Sequence, residues 1–132
     1  MPKQACFTVA FVNLAYSQLY INNMKVEEKG HTVTLKDTQG DFNAFREKVT
    51  AEYNSFKDKN IILDLSLNDI GLDEILSFLQ LSNKHRKSKK SFVLVANDVD
   101  FNEMPDEMVV VPTTLEANDI IEMEEIERDL GF

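Results

Sequence analysis

The side chains of this chain that recur at spacings suited to chemistry are carboxylates. Asp64, Asp69, Asp73, Asp98 and Asp100 fall at or just after the C-terminal ends of apolar runs that read as parallel strands. Open α/β sheets hold their ligands at that end. Three of these residues, Asp64, Asp69 and Asp98, would hold Mg²⁺ and accept a phosphoryl group if brought together, because a hard cation needs several oxygens at one point. Each also has an ordinary structural use. Asp64 precedes two further strand residues and so points into a sheet face, and Asp69 stands where a helix needs an N-cap. The structural use is preferred here, and the Mg²⁺ or phosphoryl site is kept as the alternative.

Other chemistry has less to work with. Cys6 is the single cysteine, so there is neither a disulfide framework nor a Cys-rich zinc motif. His31 and His85 have no serine or cysteine partner in a recognisable motif, and both read as surface residues. Gly30, Gly40, Gly71 and Gly131 stand singly at turns and caps, so no glycine-rich phosphate loop exists. The 132 residues make one domain, 43% hydrophobic, with a net charge of −9. That charge disfavours a nucleic-acid partner. No apolar run is long enough for a membrane span, and the expected location is the cytoplasm.

The charge is divided along the chain. Residues 1–96 carry 11 acidic and 13 basic side chains, whereas residues 97–132 carry 12 acidic ones and only Arg128 as a base. Lys84, Arg86, Lys87, Lys89 and Lys90 cluster around His85 just before this acidic quarter. Two solvated faces would explain the split; so would an acidic surface that steers a basic partner. The first 23 residues differ again, with Lys3 as their one charged side chain. Residues 1–23 are expected to be a leader upstream of a natural start at Met24, the alternatives being a packed arm or a secretory signal.

From Met24 the elements needed to position these residues follow in order. Val33 and Leu35 alternate with polar neighbours, as a half-buried strand requires, after a first strand and a turn at Gly30. Asp41 is the expected N-cap of a helix whose Phe42, Phe45, Val49, Tyr53 and Phe56 share one face. Ile61-Ile62-Leu63-Asp64-Leu65-Ser66 reads as a strand buried on both faces. A single helix capped by Asn68 or Asp69 should follow, with Leu72, Ile75, Leu76 and Leu79 inward and the basic cluster at its C-terminal end, where cations suit the helix dipole. Residues 91–96 and 108–111 supply two more strands. Thr113 and Glu116 form a capping box for a last helix, with Leu115, Ile120, Met123, Ile126 and Leu130 as its apolar stripe. The order β-β-α-β-α-β-β-α implies an α/β domain over 24–132, a mixed sheet of about five strands with helices packed against it.

The segment Ile61-Ile62-Leu63-Asp64-Leu65-Ser66-Leu67-Asn68-Asp69-Ile70-Gly71-Leu72, the Phe-Val-Leu-Val strand and the Thr113-Thr114-Leu115-Glu116-Ala117 opening resemble the STAS domain of anti-sigma-factor antagonists. The resemblance covers residues 24–130. It implies a STAS-like fold and a regulatory protein-binding habit centred on the loop 66–72 and the following helix start. Family members that switch by phosphorylation carry a serine or threonine just after the loop aspartate. Here Ile70 and Gly71 follow Asp69, and an isoleucine cannot accept a phosphoryl group. Ser66 belongs to the strand end, where its hydroxyl should bond locally to the backbone.

The expected function is a non-catalytic interaction domain, without a cofactor, that docks on another protein. Its contact residues would be Ser66, Asn68, Asp69, Gly71 and Asp73, with Glu122, Glu125 and Asp129 on the acidic helix as a second surface. Those acids crowd the helix end whose dipole is already negative, so structure alone would favour lysines there. The alternative is a receiver-like domain using Asp64, Asp69 and Asp98, against which no lysine follows the 109–111 strand. Short STAS-like chains have been labelled as the tRNA 3′-processing ribonuclease Z. That enzyme needs a His-x-His-x-Asp-His metal cluster, which this chain lacks, so any part in that activity is as an accessory to a separate catalytic chain.

Overall fold

The computed structural model describes residues 17–21, 24–67, 70–97 and 99–131. Its sheet has six strands in sequential order. β1 (Ser17–Ile21) pairs antiparallel with β2 (Met24–Lys29), and β2 pairs antiparallel with β3 (Thr32–Asp37). β4 (Asn60–Asp64), β5 (Phe92–Val95) and β6 (Val109–Val111) then continue the sheet in parallel. The five strands expected from Met24 onward are present, and a sixth comes from inside the segment read as a leader. Residues 1–16 and 22–23, the rest of that segment, lie outside the described residues.

Local chemistry accounts for the turns. Lys29 faces Thr32 across the β2–β3 ladder, leaving Gly30 and His31 as a two-residue loop. Gly30 has φ +61, which a hairpin of this length needs at its first central position. At the far edge, β6 is three residues long and Pro112 follows it, which limits pairing with another chain.

α1 (Phe42–Phe56) starts where Asp41 caps it, with Asp41 Oδ1 accepting from the Ala44 N–H at 3.2 Å. Phe45, Val49, Tyr53 and Phe56 recur at spacings of 4, 4 and 3 and are all buried. They meet Val33, Leu35, Ile61, Leu63, Phe92 and Leu94 from one sheet face. Each such side chain removed from water contributes roughly 1.5–3 kcal/mol before conformational entropy is subtracted.

The next helical region departs from the sequence reading. It is two helices, α2 (Leu72–Leu76) and α3 (Leu79–Lys87), and it begins after Gly71 rather than at Asp69. Glu74 Oε1 accepts from the Gly71 N–H at 2.6 Å and so supplies the cap from inside the helix. The break has a local cause. Ser77 Oγ donates to the Glu74 carbonyl at 2.5 Å, the acceptor an unbroken helix would give to Phe78. The Phe78 N–H turns to the Ile75 carbonyl at 3.1 Å, tightening the turn as its ring enters the core.

His85 on α3 is a second correction, because it is fully buried rather than on the surface. Its Nδ1 lies 2.7 Å from the Tyr53 hydroxyl and its Nε2 lies 2.7 Å from the Lys59 carbonyl. A carbonyl only accepts, so Nε2 carries the proton and Nδ1 accepts from Tyr53. Burial pushes this imidazole below the usual histidine range, with the Lys90 charge acting the same way and the Lys59 hydrogen bond opposing. Burial also raises the Tyr53 hydroxyl. Lys84, one of the basic cluster, stands 5.2 Å from the centre of the Tyr53 ring.

Parallel strands added in one direction with crossovers of one hand place their connections on one face. α1, α2, α3 and residues 99–108 do pack on one side, where Met108, Val99 and Met104 join the larger core. α4 (Thr114–Asp129) returns across the other side, covering Ile62, Val93, Val95 and Val111 with Ala117 and Ile121.

Candidate functional site

The loop that follows β4 is the first region to consider. Asp64 is 7% exposed, and its Oδ1 accepts both from the Ser66 N–H at 3.0 Å and from Ser66 Oγ at 2.6 Å. The Ser66 hydroxyl thus bonds locally, as expected, but to a side chain rather than the backbone. Asp64 Oδ2 faces Lys36 Nζ at 4.0 Å. Oδ1 of this carboxylate is thus held within the loop, while Oδ2 meets only the half-exposed Lys36 ammonium among the described residues. Ser66 and Leu67 are exposed, Gly71 caps α2, and Asp73 is exposed in the first turn of α2. Ile70 is buried and belongs to the larger core. The position that would carry a phosphoacceptor in the resemblance is therefore filled by a packed apolar side chain.

Asn68, Asp69 and Asp98 lie outside the described residues. Asp100, the fifth strand-end carboxylate, caps a 3₁₀ turn at Phe101–Glu103, accepting from the Asn102 N–H at 2.9 Å. Among the described residues no group of three or more His, Cys, Asp or Glu side chains could hold a metal ion.

The second region is α4. Thr113 Oγ1 caps it, accepting from the Glu116 N–H at 3.2 Å. The apolar stripe read as its core side is turned away from the sheet. Leu115 is 72% exposed, Met123 62%, Ile126 58% and Leu130 67%. Of the five residues assigned to that stripe only Ile120 packs, and partly, against the sheet. The buried residues are Ala117 and Ile121, on the opposite flank of the helix.

The inner flank continues as a polar network instead of an apolar one. Glu125 Oε2 accepts from Asn60 Nδ2 at 3.1 Å, and Asn60 Oδ1 accepts from the Ser91 N–H at 2.9 Å. Ser91 Oγ donates to Glu124 Oε1 at 2.5 Å, and Arg86 Nη2 reaches Glu124 Oε2 at 3.4 Å. Arg128 donates to Ser91 Oγ at 3.3 Å and to Asn60 Oδ1 at 3.4 Å. Asn60 and Ser91 are buried at the amino ends of β4 and β5, so the network ties the C-terminal half of α4 to the sheet. Glu125, one of the acids expected on the contact surface, is half-buried, and its carboxylate accepts from Asn60. Glu122 and Asp129, by contrast, are exposed beside the outward stripe, with Glu116, Asp119 and Glu127.

The outward face of α4 is apolar along its middle and acidic at its borders. It carries four large apolar side chains along about 22 Å of helix, bordered by carboxylates. The sequence signal for it was the 3–4 spacing of Met123, Ile126 and Leu130, identical to that of a core stripe. No family model matches this chain, and no curated protein matches it.

Proposed function

We propose that this chain is a STAS-like protein-docking domain that engages a partner without chemistry of its own, using the outward face of α4 as its principal contact surface. The observation that carries the reading is the exposure of Leu115, Met123, Ile126 and Leu130 on one helix face. A soluble domain leaves single apolar side chains exposed at random, but an aligned set bordered by charge is the pattern of a recognition surface. The STAS-like assignment rests on the 61–72 and 113–117 segments and on the α/β order. The loop 66–72 is the second contact region, where Ser66 and Leu67 are exposed. The engagement of Asp64 by Ser66 and Lys36 weighs against a Mg²⁺ or phosphoryl site.

The test uses the full chain as bait in its native cells, as wild type, Ile126→Asp and Glu47→Ala, the last an exposed residue of α1 away from both regions. One protein should be recovered with wild type and Glu47→Ala and lost with Ile126→Asp, while all three chains melt alike. Equal recovery by all three, or a melting temperature that rises with Mg²⁺, would overturn the reading.

A further inference from the structure

The outward face of α4 specifies the chemistry of its occupant, and this inference rests on the docking reading above. Met123, Ile126 and Leu130 are separated by 3 and 4 residues, the spacing at which one helix presents a seam to another. If Met123 and Leu130 take the a positions of a heptad and Ile126 the d position, the flanking g and e positions are Glu122, Glu127 and Asp129. All three are acidic and exposed. Flanking charges at these positions choose the partner, since like charges across a helix pair repel and opposite charges attract.

We propose that α4 docks an amphipathic helix of a second protein, one with an apolar seam at 3–4 spacing flanked by lysine and arginine. Charge complementarity selects this occupant over the others. A second copy meeting the same face would oppose Glu122, Glu127 and Asp129 to themselves. An anionic lipid surface would meet the same carboxylates and be repelled. The inner flank of α4 cannot turn outward to offer other side chains, because Asn60, Ser91 and Arg86 hold Glu124 and Glu125. The seam is short, so the complex owes its specificity to the flanking charges more than to buried area.

Two synthetic helical peptides of about three heptads test this, identical at a and d but carrying lysine or glutamate at e and g. Titration against the wild-type chain should show the basic peptide binding at least about tenfold tighter, and weakening as salt rises. The Glu122→Lys, Glu127→Lys, Asp129→Lys chain should reverse that preference. Ile126→Asp should weaken the basic peptide about tenfold or more with an unchanged melting temperature. Equal binding of both peptides, or binding that survives Ile126→Asp, overturns the assignment. Binding of neither peptide, while the cellular partner is still lost on Ile126→Asp, overturns the basic-helix chemistry and leaves docking itself intact. A wild-type dimer that Ile126→Asp makes monomeric would assign the face to a second copy instead.

Discussion

α1 and α4 are of nearly equal length and lie on opposite faces of one sheet, yet they are held there by different means. α1 turns Phe45, Val49, Tyr53 and Phe56 inward and is fixed by apolar packing. α4 turns Ala117 and Ile121 inward, then anchors its second half through Glu124, Glu125 and Arg128 on Asn60 and Ser91. The small apolar area buried by α4 leaves its larger side chains free for the outer face. A helix anchored by hydrogen bonds at one flank has the other available for recognition, whereas α1 spends its whole apolar face on the fold.

The sharpest way to break this contrast is to truncate one apolar residue on each helix. Phe45→Ala should destabilise the domain by about 3–5 kcal/mol, as a fully buried ring in a core does. Ile126→Ala should change stability by less than about 0.5 kcal/mol, because its side chain is already in water. Urea unfolding of the two variants beside wild type measures both. A comparable loss at Ile126 would mean that α4 is packed, and the contrast would fail.

The α1–α3 contact offers the next effect. His85→Phe removes the partner of both the Tyr53 hydroxyl and the Lys59 carbonyl, at about 1–3 kcal/mol for each one left unsatisfied. The same histidine gives a pH dependence of known sign. Its pKa is lower in the folded chain than the unfolded value of about 6.5, so below that pH the unfolded chain binds more protons. Its contribution is therefore full above about pH 6.5 and is lost as pH falls from there toward the folded pKa. Unfolding curves across this window should fall more steeply for wild type than for His85→Phe; parallel curves would show that His85 does not titrate with folding.

On the α4 side, Asn60→Ala should cost about 1–3 kcal/mol, since it strands the buried Ser91 N–H and frees Glu125 and Arg128. A neutral result in chemical denaturation would remove the polar anchor from the account. The smallest effect separates acids on the same helix. Asp129→Lys, in the last turn, should stabilise by about 0.3 kcal/mol at low salt through the helix dipole, while Glu125→Lys should destabilise. Equal signs from the two would show that the Asn60 contact carries no weight.

The sequence disclosed most of the fold because its strands and α1 are locally unambiguous. Gly30, Asp41 and Thr113 each announce a turn or a cap by a short-range mechanism. What stayed hidden depends on distance. The 3–4 spacing in α4 reports that the helix has an apolar side, but not which side meets the sheet. That choice is made by Asn60 and Ser91, 31 residues apart and far from α4 in sequence. His85 read as a surface residue because its neighbours are lysines, and only Tyr53 and Lys59 across the fold explain its burial. The break between α2 and α3 falls where the Ser77 hydroxyl and N–H share the Glu74 carbonyl and the Phe78 N–H turns to Ile75, a local arrangement no periodicity detects.

The order of the sheet has a consequence for how the protein is made. Each strand neighbours the one before it, so the larger core can assemble progressively as the chain leaves the ribosome, at little cost in loop closure. The smaller core cannot. Ile62, Val93, Val95 and Val111 remain an open apolar face until Ala117 and Ile121, on the helix that follows all these strands in the chain, arrive to close it. During that interval the nascent domain exposes buried-to-be strands beside a short parallel edge, the kind of surface that chaperones recognise and that aggregates when left uncovered. A translation product that stalled before α4 would keep that face uncovered, so α4 closes the sheet as well as presenting Leu115, Met123, Ile126 and Leu130 to solvent.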